Sequence, residues 1–341
     1  MKKRLFVSFL LLFLPVLVLN AATNPPANRY NWTNLFSDLP GVALRTDTNL
    51  VNPWGIAPSP NGNIWVNDNG TGLSTVYKQD GTNAGLVVNT LTASPTGLVF
   101  NGTSSFPITE GANTQPSLFI FVSEDGIITG WNPTVDATNA VVAVDNSGSG
   151  AIYKGAALSG TTLYVTNFHA NKVEMYDGSF NRIDNGSTFV DATLPARYAP
   201  FGIATINGQI FVSYAKQDAD AEDDVSGAGN GFVDIYNTNG TFVKRLISHG
   251  NLNSPWGLAA GPTQFGHYSG GLYVGNFGDG IINVYNSSTG AFQGTLSDQV
   301  TSLPLQFDGL WGMLFLGNNL WFTAGIGDES HGLFGSIFPT K

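Results

Sequence analysis

Three features of these 341 residues predict an all-β chain folded as a six-bladed β-propeller: a short phrase repeated six times, a spacing between copies that fits a four-stranded blade, and a glycine-rich, charge-poor composition. The copies read Pro53-Trp54-Gly55-Ile56-Ala57, Pro95-Thr96-Gly97-Leu98-Val99, Tyr153-Lys154-Gly155-Ala156-Ala157, Pro200-Phe201-Gly202-Ile203-Ala204, Pro255-Trp256-Gly257-Leu258-Ala259 and Leu310-Trp311-Gly312-Met313-Leu314. Their glycines stand 42 to 58 residues apart, against ~40–50 for a four-stranded blade, so some loops are extended. With 42 glycines and 11% charged residues the composition suits many short strands joined by tight turns. The repeat runs through the chain, so a single domain over 30–338 is expected although the length would allow two.

Within each unit the order is constant. In the first, Gly55-Ile56-Ala57 reads as strand A, Asn61-Gly62 as a turn, 63–67 as strand B, 68–72 as a loop, 74–78 as strand C and 86–91 as strand D. The alternation in Ile64-Trp65-Val66-Asn67 and its β-branched and aromatic content favour strands. Matching B strands fall at 118–122, 163–166, 210–214, 272–275 and 320–323, and matching C strands at 127–131, 172–176, 231–236, 280–285 and 331–337. The sixth unit ends at Phe338 with no room for a strand D, while Tyr30-Asn31-Trp32-Thr33-Asn34-Leu35-Phe36 precedes the first phrase as a strand with no blade of its own. The N-terminal strand is therefore expected to complete the last antiparallel blade and close the ring, removing open edges.

Residues 1–22 read as a secretory signal peptide. Lys2, Lys3 and Arg4 form a basic start, 5–19 an apolar stretch, and Ala21-Ala22 a small-residue cleavage site. An uncleaved anchor is the rival reading, but the apolar run contains Pro15 and is shorter than the ~18–20 residues a span needs. Residues 23–29 are a short linker. Losing the three basic residues makes the formal charge of −10 more negative still, so nucleic acid is excluded as a partner by repulsion of phosphate. The chain has no cysteine, which rules out disulfides, thiolate metal sites and a cysteine nucleophile. A secreted, periplasmic or cell-envelope bacterial protein with no stable membrane span, acting as a monomer, is expected.

In an up-and-down blade the loops joining D to the next A share one rim with those joining B to C. The D–A loops bring Trp54, Lys154, Phe201, Trp256, Asp308 and Trp311 to that rim; the B–C loops bring Glu124, His169, residues 216–230, Asn276, Asp279, Glu329 and His331. The Trp-Gly pairs have two explanations: tryptophans packed between blades beside glycines that allow close backbone approach, or tryptophans stacked on a ligand. The longest break in the template, 214–231, carries Asp218, Asp220, Glu222, Asp223 and Asp224. Hard oxygen donors at that density suit Ca²⁺, with Asp218, Asp220, Asp223 and Asp224 as the candidate ligands, although the spacing is not that of an EF-hand. A solvated acidic loop, or a lid whose charges meet Lys216 or a basic ligand, is the more expected explanation. His169, His249 and His331 fall in rim loops while His267 lies on the opposite face; a shared Zn²⁺ is the less expected use of them, and His331 beside Glu329 is the candidate general base. No nucleophile elbow or phosphate loop occurs.

The phrase followed by Asn63-Ile64-Trp65-Val66-Asn67-Asp68 resembles NHL repeats. Three longer segments, 214–231, 255–286 and 308–337, resemble a group of uncharacterised exported bacterial six-bladed propellers first noticed among proteins with a PEP-CTERM sorting tail; no such tail follows Phe338. That resemblance implies the fold and export and brings no established activity. Its distinctive polar positions are Lys216, Gln217, Asp218, Asp223, Asp224, Asn276, Asp279, Asp308, Glu329 and His331.

The expected function is binding: an acidic, aromatic rim, built from Trp54, Lys216, Gln217, Asp218, Trp256, Asn276, Asp279, Asp308 and Trp311, that takes a carbohydrate, a peptide or an envelope protein. The alternative is a Ca²⁺- or Zn²⁺-dependent hydrolase, lactonase or lyase, by analogy with other six-bladed enzymes. No constellation of base, nucleophile and metal ligands is assigned by the residues, so the enzyme class stays open and no cofactor is required.

Overall fold

The computed structural model describes residues 29–340, and the signal segment 1–22 lies outside them. Six antiparallel sheets follow one another along the chain. Blade one is Pro53–Pro58, Ile64–Asp68, Leu73–Tyr77 and Asn83–Asn89, strands A to D in order. Blade two is Pro95–Phe100, Phe119–Ser123, Ile127–Trp131 and Val141–Asp145. Blade four is Tyr198–Ile206, Gln209–Lys216, Phe232–Tyr236 and Phe242–Ser248, and blade five is Pro255–Ala260, Leu272–Asn276, Ile282–Tyr285 and Phe292–Thr295.

Blade six is made from both ends of the described chain. Leu310–Leu316, Asn319–Ala324 and Leu333–Pro339 are its strands A to C, and Arg29–Ser37 is its strand D. The register runs from Tyr30 opposite Pro339 to Ser37 opposite Leu333, with a bulge between Asn34 and Phe36. The ring is therefore closed as the orphan N-terminal strand predicts.

Blade three departs from the template, with only Tyr153–Ser159, Thr162–Asn167 and Lys172–Tyr176. The physical reason is local. Asp184 presents its carboxylate where a fourth strand would present a carbonyl, and accepts the Met175 N–H at 3.2 Å. Two backbone bonds, Ile183 N–H to the Met175 carbonyl at 2.8 Å and Asp177 N–H to the Asn181 carbonyl at 2.9 Å, form a single bridge between Tyr176 and Arg182 in place of a fourth strand. Blade two has gained instead: the hairpin Pro107–Glu110 with Asn113–Pro116 lengthens its A–B loop and accounts for the wide spacing between Gly97 and Gly155.

The core lies between blades, because each sheet buries both faces against its neighbours. Trp65 stacks on Phe119 at 4.0 Å between blades one and two, and Tyr77 on Phe334 at 4.9 Å between blades one and six. Near the axis the A strands approach so closely that the phrase glycines have no room for a side chain. A Cβ on Gly202 would lie 1.9 Å from the Trp256 carbonyl oxygen, and one on Gly312 2.4 Å from that of Trp54. Side chains of one blade also bond the backbone of the next. Asn67 Nδ2 donates to the Thr96 carbonyl at 3.1 Å, Thr96 Oγ1 to Tyr153 at 2.7 Å, Thr166 Oγ1 to Phe201 at 2.9 Å, and Thr323 Oγ1 to Trp54 at 2.6 Å. The last of these joins blade six to blade one. Together they tie blade six to blade one and run on through blades two and three to blade four.

Candidate functional site

The second residues of four phrases, Trp54, Phe201, Trp256 and Trp311, close the channel at the rim end. Trp54 and Trp311 stack with ring centroids 3.5 Å apart, Trp256 meets both edge-on at 6.1 and 5.8 Å, and Phe277 stacks on the other side of Trp311 at 4.0 Å. Phe201 and Phe168 complete this plug. Trp54 and Trp311 are 2% and 1% exposed, so their faces are taken by one another and not offered to a ligand. Blades six and one are neighbours in the closed ring, so this stack is packing between blades, the first of the two explanations the sequence offers.

Blade three breaks the aromatic ring by placing Lys154 where blades one, five and six have tryptophan. Its side chain is 2% exposed, with Nζ 5.3 Å from the centre of the Trp54 ring and 5.8 Å from that of Phe168. An ammonium this deep needs partners. Glu124 of blade two supplies one at 2.5 Å and Asp223 of the acidic loop another at 3.2 Å. Burial works against the charge, but Glu124 and then Asp223 outweigh it and raise the lysine pKa.

From that pair a run of hydrogen bonds crosses the mouth of the channel. Glu124 Oε2 accepts from Asn69 Nδ2 at 3.0 Å, Asn69 Oδ1 accepts from Asn52 Nδ2 at 3.2 Å, and Asn52 Nδ2 also donates to Glu329 Oε2 at 2.7 Å. The plug holds this cap from below: Trp311 Nε1 donates to Asn52 Oδ1 and Trp256 Nε1 to the Lys154 carbonyl, both at 3.1 Å. Blades one, two, three, four and six thus contribute side chains to one polar surface, and blade five supplies the Trp256 N–H beneath it. Glu329 is pushed up to about 7, mainly by burial, with the charges of Glu124 and Asp223 adding to the effect and Asn52 and Lys154 opposing it. Its backbone is unusual as well, since Asp328 and Glu329 both have left-handed φ, 52° and 62°. Two such residues in succession are costly and turn the carboxyl inward over the mouth.

The acidic loop folds over the same surface. Asp218 spends its carboxylate on the turn, accepting from the N–H groups of Glu222 at 3.0 Å and Asp223 at 3.4 Å. Gln217 is buried and donates to the Phe168 carbonyl at 2.7 Å. Asp224 is partly buried with its pKa raised by desolvation, Asp220 is exposed, and Lys154 rather than Lys216 is the cation that meets the loop. Asp218, Asp220, Asp223 and Asp224 do not converge: among the described residues no three His, Asp or Glu side chains are grouped to hold a metal ion. The donor set does not fit the expected Ca²⁺, and the same holds for a Zn²⁺ shared by histidines. His249 Nδ1 is bonded to the Gly229 carbonyl at 2.7 Å, His169 is exposed elsewhere, and His331 Nδ1 pairs with Asp38 Oδ2 at 2.7 Å.

The remaining predicted positions lie to the blade-five side. Asn276 is fully buried and donates to the Asn251 carbonyl at 2.8 Å, a structural use. Asp279 and Asp308 border a cavity of about 340 Å³ with Phe277 and Gln306. Asp308 also accepts the Gly327 N–H at 2.8 Å and so anchors the loop that carries Glu329. Blade geometry put Glu124 and Lys154 on the rim without marking them as special. Asn52, Asn69 and Asp38 went unmarked because asparagine and aspartate in turns are common; the departure of Lys154 from the aromatic pattern is the signal that points to the site.

No family model matches this sequence. It is 34% identical over 320 residues to the uncharacterized protein R648 of Acanthamoeba polyphaga mimivirus, covering 89% of this chain and 78% of that protein. With the uncharacterized protein L690 of the same virus it shares 31% over 320 residues, 89% of this chain and 84% of that one. These relatives are viral, where the motif resemblance pointed to bacteria. Among solved structures, selenomethionine-substituted virginiamycin B lyase from Staphylococcus aureus superposes with a TM-score of 0.54 at 16% identity, covering 91% of this chain and 99% of that one. Its catalytically inactive variant with quinupristin gives 0.53 at 14%, covering 91% and 99%. At such identity the likeness shows the shared propeller fold alone. On the sequence match the chain belongs to the family of the mimivirus proteins R648 and L690, and its fold is a six-bladed β-propeller.

Proposed function

We propose that this protein is an exported binding module, and that its ligand is a peptide or protein segment carrying a basic side chain, docked on the rim cap. The observation that carries this is the run Glu329–Asn52–Asn69–Glu124–Lys154–Asp223 across the mouth. It gathers three carboxylates around one buried ammonium, so the cap keeps an excess of negative charge when Glu329 is ionised. Asp218, Asp220, Glu222, Asp279 and Asp308 surround it, and the chain as a whole carries −10. Carboxylates held by a rigid scaffold with low-dielectric aromatic walls focus the field on an approaching cation. The tryptophans serve as the floor beneath the cap, so stacking on sugar rings is not how a ligand is held.

An acid–base enzyme is the second reading, favoured by one observation: a carboxyl at about 7, as Glu329 is, can give or take a proton at neutral pH. A panel of immobilised peptides of net charge +3, 0 and −3, together with neutral oligosaccharides, tests the proposal. Retention of the basic peptides, lost in Asp223→Asn with Glu329→Gln, supports it. Retention of the neutral sugars or acidic peptides instead overturns it.

A further inference from the structure

Below the aromatic plug the channel reopens as a cavity of about 370 Å³, distinct from the rim and facing the opposite end of the ring. We propose that this lower channel is a second binding site, for a small neutral molecule that is mainly apolar and carries a single hydroxyl or amide.

Its wall is made by the residue after each phrase glycine, one per blade: Ile56, Leu98, Ala156, Ile203, Leu258 and Met313. No Asp, Glu, Lys, Arg or His lines it. The hydroxyl of Thr205, at the outer mouth, is spent on the Leu158 carbonyl at 3.0 Å. A charged ligand would therefore lose its hydration with no opposite charge to meet it. Between the side chains the wall is the inner edge of six A strands, whose backbone N–H and C=O groups suit one uncharged polar group on the ligand. The inner end is blind because Trp256 and the stacked tryptophans close it. The volume falls within the ~300–1,000 Å³ of small-molecule sites.

The ring is also lopsided. Five of the six wall residues are large and Ala156 of blade three is small. In a six-membered ring blade three faces blade six, so the notch at Ala156 lies across the axis from the flexible Met313. Methionine adapts to irregular shapes. Together the two positions give the cavity a wide side and a yielding side, which fits a flat ring better than a symmetric plug.

The test titrates 4-bromobenzyl alcohol into the full chain and follows tryptophan fluorescence, since bromine quenches an indole that it touches and Trp256 borders the inner end. The expected result is a saturable quench that is at least tenfold weaker in Ala156→Ile, a residue already used at the matching position of blades one and four. Thr205→Phe, at the exposed mouth, is the second variant and is expected to weaken binding equally without touching the packed ring. 4-Bromobenzoate is expected to give no saturable quench. A linear, non-saturating response to the alcohol, or one unchanged in both channel variants with native circular dichroism, overturns the lower-channel site.

Discussion

Lys154 Nζ lies 2.5 Å from Glu124 Oε1, and the lysine side chain that makes this contact is 2% exposed while the glutamate is 26% exposed. The asymmetry of burial decides what each truncation does. Glu124→Gln leaves a buried ammonium with Asp223 as its remaining close carboxylate and is expected to cost about 3 kcal/mol. Lys154→Met fills the space between Trp54 and Phe168 with an apolar chain and lets Glu124 turn to water, so a loss under about 1.5 kcal/mol is expected. Urea unfolding of the two single variants and the double variant checks this, with the double expected to resemble Lys154→Met.

Backbone contact at the axis leads to a second expectation. Gly312→Ala would place a Cβ 2.4 Å from the Trp54 carbonyl oxygen and 2.7 Å from Thr323 Oγ1, in the contact that joins blade six to blade one. A loss of more than about 3 kcal/mol, or failure to express in soluble form, is expected. Gly148→Ala, with nothing within 4 Å, is the control and should stay within about 0.5 kcal/mol. Thermal melts of both variants read the difference.

Ring closure is carried by the first described strand. Deleting residues 29–37 exposes the edge of Leu333–Pro339 along its length, from Leu333 to Pro339. Such an edge invites pairing between copies. The deleted protein is expected to aggregate or to lose its cooperative transition, as read by size-exclusion chromatography and melting, whereas removal of 23–28 should leave both unchanged.

Glu329 sets a pH dependence of known sign. Its carboxyl is raised from 4.5 to about 7 in the fold, so the folded state holds its proton where the unfolded state has released it. The stability due to the neutral form is present below about pH 4.5 and is lost as pH rises towards 7. The effect is on the order of 3 kcal/mol. Asp234, also pushed up to about 7 by burial, gives a slope of the same sign. The difference between the wild type and Glu329→Gln is therefore what isolates Glu329. Unfolding free energies from pH 4.5 to 8 should fall less steeply in the variant.

The repeated phrase carried most of the architecture. Strand C of blades two and three lies where the sequence reading puts it, at Ile127–Trp131 and Lys172–Tyr176. The orphan strand at Tyr30 closes the ring. Blade three escaped the reading because an Asp184 side chain substitutes for a strand's carbonyl, and no periodicity reports that. The site was legible only as a rim. Its key contacts join residues 17 to 277 positions apart, such as Asn52 with Asn69 and Asn52 with Glu329. They arise from folding the ring, not from any local motif. The Trp-Gly pairs, the most conspicuous residues in the chain, are its plug. The phrase that carries Lys154 where three others carry tryptophan marks the charged cap.

Binding at the rim cap is tested most directly by the Kd of fluorescein-labelled hexalysine, measured by fluorescence polarisation at low and at physiological salt. At least tenfold weaker binding is expected in Asp223→Asn with Glu329→Gln, and no change in Glu110→Gln, whose exposed side chain lies on the hairpin at the opposite face. Equal weakening in both proteins, or binding unaffected by the rim substitutions, would contradict it.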